Sequence, residues 1–142
     1  MDYRINKERN DYYLPILKPW IHDTFGLNLT EAMIYNLILQ NGVITWTSDY
    51  IAECVYCTGK TVRNTIKKLC DEGLVRKIII PQGTNKRWVL VALYTSEGRK
   101  SEEEVKKLII QGCRSFKIFQ KKKESEELDK WIEKEIINKH CF

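Results

Sequence analysis

Long apolar runs are missing from this sequence. The longest, Trp88 to Tyr94, has seven residues, far short of the roughly 20 a membrane-spanning helix needs. The opening "MDYRINKERN" is charged and lacks the apolar core of a secretory leader, which sets the expectation of a cytoplasmic protein without membrane contact. Histidine is scarce: His22 and His140 are the only two, and neither stands near a nucleophile motif or a glycine-rich phosphate loop. No catalytic residue is therefore assigned, and an enzyme is not expected. Five cysteines, Cys54, Cys57, Cys70, Cys113 and Cys141, make an odd set suited to reduced thiols rather than a disulfide frame. Cys54 and Cys57 have the spacing of a metal pair, but no second such pair or His-x3-His completes four ligands. No metal and no cofactor are expected.

What is present suits a soluble domain with a respectable core: 43% hydrophobic and 30% charged residues, with a net charge of +5 over 142 residues. Residues 1–27 are balanced, while 28–95 carry eight basic against five acidic groups and 96–142 carry twelve against ten. A mild positive excess permits a polyanionic partner without demanding one.

Pro15 and Pro19 break the first 27 residues into an arm that packs its aromatics on the rest. Pro19 could open a short turn carrying Trp20, Ile21 and Phe25. "NLTEAMIYNLILQNG" is a helix capped by Asn28 with Glu31, or by Thr30, and stopped by Gly42. Its apolar surface runs nearly all round, as in a central buried helix. "VITW" reads as a short strand. "TSDYIAECV" starts a second helix, capped by Thr47 or Ser48, with Ile51, Cys54 and Val55 inward. After "YCT", a third helix turns Val62, Ile66 and Leu69 inward and ends at Gly73, with Leu74 placed for a Schellman contact.

"LVRKIII" and "RWVLVALY" around the turn "PQGTNK" read as a hairpin. The second run is apolar at both alternating sets and needs cover on both faces. "SEEEVKKLIIQGCRSFKIFQKKK" supplies an amphipathic helix with a Ser101–Glu104 capping box, Val105, Leu108, Ile109, Cys113 and Phe116 along one face, and Gly112 as its weak point. "SEELDKWIEKEIINK" supplies another through Leu128, Trp131, Ile132 and Ile136. Lys121–Lys123 are followed at once by Glu124, Glu126 and Glu127, as at a solvated helix junction.

The unit "YIAECVYCTGKTVRNTIKKLCDEGLVRK" resembles the winged helix-turn-helix domain. Ile51-Ala52 match its apolar-Ala pair, Thr58 the cap of helix three, and Thr61-Val62 with Ile66 the helix that follows. Leu69 through Gly73-Leu74-Val75 match its Leu-x-x-x-Gly-Leu-apolar ending. The resemblance covers about residues 28–94 and is closest to small bacterial transcriptional regulators and phage or plasmid replication proteins. One position departs from it: Tyr56 stands where many members have Gly.

The implied fold is α+β, a three-helix core plus a β-hairpin wing, with an N-terminal arm (1–27), the winged domain (28–95) and C-terminal helices (96–142). The implied function is sequence-specific binding of double-stranded DNA, as a small transcriptional regulator. The alternatives are a replication or maintenance protein of a phage, plasmid or conjugative element, and a winged helix used only between proteins. Helix three would enter the major groove with Lys60, Arg63, Asn64 and Lys67 outward, where Arg and Lys can read guanine and Asn adenine. Gly59 would let the helix start approach closely. Thr47, Ser48 and Thr61, at helix N-termini, suit phosphate oxygens, and Lys86 and Arg87 add charge at the wing. Asp71 and Glu72 would repel phosphate at the helix's far end. The C-terminal helices could fold back on the domain or pair with a second subunit; a homodimer is expected, because their aromatics and the two-faced strand call for extra cover.

Overall fold

The computed structural model describes residues 19–82, 85–116, 129–130 and 132–137. Pro19 takes the first helical position, where a missing N–H costs nothing, and α1 runs Pro19–Phe25. Ile21 is fully buried, and Phe25 meets Tyr35 and Tyr94 edge-on at 5.5 and 5.6 Å. These aromatics do pack onto the domain; residues 1–18 of the arm lie outside the described residues.

Helix α2, Leu29–Asn41, begins in a complete capping box. Asn28 Oδ1 accepts the Glu31 N–H at 2.9 Å, and Glu31 Oε1 accepts the Asn28 N–H at 3.0 Å. Gly42 ends it at φ 80°. The helix is central as its composition requires, with Ala32, Ile34, Tyr35 and Ile38 fully buried. Thr47 caps α3, Ser48–Val55, by accepting the Tyr50 N–H. Ile51 and Val55 are buried, while Cys54 is only partly so. Helix α4, Gly59–Asp71, is capped by Thr58 and buries Val62, Ile66 and Leu69 completely. Its end is the expected Schellman turn: Gly73 has φ 76°, and the Leu74 N–H reaches the Leu69 carbonyl at 2.9 Å.

Strand β3, Asn85–Ala92, lies between β1, Val43–Ile44, and β2, Val75–Gln82, in an antiparallel sheet. The wing is longer and tighter than "PQGTNK" suggested, since Pro81 pairs with Lys86 and Gln82 with Asn85. Pro81 is tolerated because β2, among the described residues, is an edge strand of the sheet. "VITW" is a strand only as far as Ile44. The carbonyls of Thr45 and Trp46 instead accept from the side chains of Arg87 (2.9 Å) and Trp88. A two-stranded ribbon of β4, Tyr94–Thr95, and β5, Gly98–Arg99, has no counterpart in the sequence reading. The buried Tyr35 hydroxyl anchors it, accepting the Tyr94 N–H at 3.0 Å and donating to the Tyr94 carbonyl at 2.9 Å. Burial pushes the Tyr35 hydroxyl pKa up to about 12.

The alternation of β3 divides two cores. Leu90 and Ala92, with Trp88 beside them, join the α1–α4 core, whereas Val89 and Val91 face a second core with Ile78 and Ile80. That second face is covered from within the chain by α5, Glu102–Arg114, through Val105, Ile109 and Cys113. A π-helical turn, Glu133–Ile137, adds Ile137, and Ile132 joins from just before it. Ser101 caps α5 by accepting the Glu104 N–H. Leu128, Trp131 and the Ile136 side chain lie outside the described residues.

Two expectations change here. Gly112 is a packing glycine rather than a weak point, because a Cβ there would stand 2.8 Å from Val43 Cγ2 and 2.8 Å from Val89 Cγ1. The homodimer loses one of its two reasons, since α5 covers that face of the sheet; Trp131, among the aromatics that gave the other, lies outside the described residues. The fold is α+β, with α2, α3, α4 and the β2–β3 hairpin in winged helix-turn-helix order.

Candidate nucleic-acid interface

With Val62, Ile66 and Leu69 inward, the helical repeat sends Lys60, Asn64 and Lys67 to the opposite side of α4, and all three are exposed. They form one stripe along the helix. Lys68, the next residue, leaves that face: its Nζ lies 2.7 Å from Glu31 Oε2 on α2. Asp71 and Glu72 are exposed at the helix's far end.

Arg63 sits at the edge of the stripe and turns away from it. Its Nη1 donates to Ser48 Oγ at 3.1 Å, bridging α4 to the first residue of α3. Thr47, Ser48, Arg63 and Arg87 line one open groove of about 290 Å³, whose apolar wall is Ile79 and Trp88. The groove is built by β3. Arg87 and Trp88 hold the carbonyls of Thr45 and Trp46, and this pins the segment that leads into the Thr47 cap. Trp46 stacks edge-on with Tyr50 at 5.0 Å, which steadies the same corner.

Four of the nine candidate contact residues therefore share a groove, and Lys60, Asn64 and Lys67 share the neighbouring stripe. Arg87 is not a free wing-tip cation: it is half-buried, bonded to Thr45, and its guanidinium carbon lies 5.4 Å over the Phe116 ring. Thr61 lies outside the groove lining, with its hydroxyl 3.0 Å from that of Thr58. Lys86 is in β3 by its backbone, and its side chain lies outside the description.

Gly59 has a local cause that its sequence position did not reveal. A Cβ there would fall 2.3 Å from Asp49 Oδ1 and 3.2 Å from Arg63 Nη1, so its bareness makes room for those two side chains. Ile79 and Trp88 were also missed; their cross-strand pairing, which the hairpin register would have given, is the signal that finds them.

Cys54, Cys57 and Cys70 are free, and burial pushes each thiol up, away from the thiolate that metal binding or redox chemistry uses. Burial pushes Cys113 up to about 12. Cys141, His140, the His22 side chain and Lys121–Lys123 lie outside the described residues. Among the described residues, no helix is long and apolar enough to cross a membrane.

No family model matches the chain, and no curated protein matches it. Among solved structures, it is similar to one described as a possible transcriptional regulator from Methanosarcina mazei Go1. The identity is 15%, over 78% of this chain and 84% of that one, with a TM-score of 0.43. A likeness of that size carries no weight for function.

Proposed function

We infer that this protein binds duplex DNA as a small transcriptional regulator, with α4 in the major groove. The observation that supports this reading is the adjacency of two differently built surfaces. The Lys60–Asn64–Lys67 stripe is exposed and faces away from the core, as base readout requires. Beside it, the groove of Thr47, Ser48, Arg63 and Arg87 combines two guanidinium groups with two hydroxyls at the start of α3, a set that suits phosphate oxygens.

The division of labour assigns Arg63 to the backbone rather than to a base. Its bond to Ser48 already orients the guanidinium toward the groove. Replication or maintenance of a mobile element would use the same two surfaces and differ only in partners.

Fluorescence anisotropy with labelled duplexes tests the reading. Affinity should fall steeply between about 50 and 200 mM salt if several phosphates are contacted. Asn64→Ala should cost about 1–3 kcal/mol and relax the preference at one base position. Arg63→Ala should weaken all duplexes evenly and lower the salt slope by about one. Salt-independent binding, or none to a randomised duplex pool, would sink the DNA reading and leave an interaction between proteins. A homodimer through the C-terminal helices would have to use surface that α5 does not spend on β3. Sedimentation with and without a palindromic duplex reads it directly.

A further inference from the structure

The hairpin face that joins the α1–α4 core is not covered along its whole length. Alternation puts Val75, Lys77 and Ile79 of β2 on one face, opposite Ala92, Leu90 and Trp88 of β3. Toward the root, Val75, Leu90 and Ala92 are buried in that core. One step further out the cover ends: 38% of Ile79 is exposed, and Trp88 is half-buried. The two are cross-strand partners, so they make one apolar step rather than two scattered residues. That step is the apolar wall of the groove beside α4.

The other walls are polar. The hydroxyl oxygens of Thr47 and Ser48 already accept, from the Tyr50 N–H and from Arg63 Nη1, which leaves each O–H to donate. Arg87 is engaged in part by the Thr45 carbonyl and the Phe116 ring. Asp49 stands close by, since its Oδ1 and Arg63 Nη1 both crowd the missing Cβ of Gly59. Its carboxylate offsets one guanidinium, so charge alone does not account for a ligand here. The hydroxyl donors and the apolar step together do.

A duplex backbone laid over this groove uses only half of it. Phosphate oxygens suit the hydroxyls and Arg63, but paired bases stay inside the duplex and leave Ile79 and Trp88 without a partner. An unpaired nucleotide uses both halves, its phosphate on the hydroxyls and its base against the indole. Trp88 Nε1 already donates to the Trp46 carbonyl. The indole therefore offers surface, a contact tolerant of base identity. The volume of about 290 Å³ lies at the bottom of the range of small-molecule sites, which suits one base rather than a run of them.

The geometry points to a pocket for one unpaired nucleotide of DNA, next to the duplex that α4 occupies. This rests on the DNA reading above and narrows it: the preferred target is a duplex with a nucleotide out of the stack, where seating the base costs least.

Fluorescence anisotropy at one salt concentration provides the test, with an intact duplex and the same duplex carrying a single extra dT at successive positions. At one position the bulged duplex should bind about tenfold more tightly than the intact one. Ile79→Ser should reduce that ratio to about twofold or less, whereas Leu29→Ser, at an exposed apolar residue of α2, should leave it unchanged. With 5-iodouracil in place of the extra thymine, ultraviolet light should cross-link the base to Trp88 or its partner Ile79, read by peptide mass spectrometry. Three results would overturn the assignment: equal affinity for intact and bulged duplexes at every position, a preference that survives Ile79→Ser (as DNA bending alone would give), or a cross-link that misses both residues. Each leaves binding of the intact duplex, and so the DNA reading, standing. Failure to bind any duplex would remove both. Should Ile79→Ser lose its fold, the cross-link on the wild-type chain decides.

Discussion

Tyr56 holds a left-handed backbone, φ 56° and ψ 50°, while 76% of its surface meets water. Its exposed ring offers little packing to offset that geometry, which costs an L-residue about 1–2 kcal/mol. Glycine removes the strain but brings back about 0.5–1 kcal/mol of unfolded-chain freedom. Tyr56→Gly should therefore stabilise the protein by up to about 1 kcal/mol, seen as a higher urea midpoint with an unchanged slope. A lower midpoint would mean that the ring packs after all. Gly112→Ala has the opposite outcome. Helix propensity alone would favour alanine by about 1 kcal/mol. Contacts of 2.8 Å with Val43 and Val89 force α5 off the sheet instead, at about 1–3 kcal/mol for such overpacking. Thermal melts should show a net loss. Tyr56 was legible as a departure from the family pattern. The role of Gly112 was not, because it depends on two valines from distant strands.

At the scale of elements, α2 and α4 are joined by the Glu31–Lys68 ion pair, and Glu31 also completes the cap of α2. Burial acts to raise the Glu31 pKa, but the hydrogen bonds from Lys68 and the Asn28 N–H outweigh it and hold the carboxyl below its ordinary range. The folded pKa is thus the lower one. The stabilisation is complete above the unfolded value of about 4.3 and is lost as pH falls through the folded value. Glu31→Gln should flatten that acid limb in urea titrations at stepped pH; an unchanged limb would assign it to other carboxylates. The helices, their caps and their inner faces were readable because each is set by residues three or four apart. The β4–β5 ribbon was not, since it hangs on the Tyr35 hydroxyl 59 residues away. Nor was the end of β1, which side chains of β3 decide.

Over the whole molecule, two cores share a sheet, and the second depends on residues beyond the winged pattern. The two-faced strand announced that cover was needed; what supplied it was undetermined, since an amphipathic helix serves its own chain or a partner equally well. Removing residues 101–142 would strip Ile78, Ile80, Val89 and Val91 of α5. At about 1.5–3 kcal/mol for each buried side chain, the loss rivals the typical total stability of about 5–15 kcal/mol. The truncated chain should aggregate or lack a cooperative melt by circular dichroism, and a sharp wild-type-like melt would refute the dependence.

The shared strand also limits how this protein can change. Val89 through Leu93 are five successive residues with no face left to water, so none can be exchanged for a polar residue without harming one interior or the other. The exposed side of α4 carries no such constraint. If α4 is the reading helix proposed above, a lineage of such proteins would change its targets there while the middle of the sheet stayed fixed.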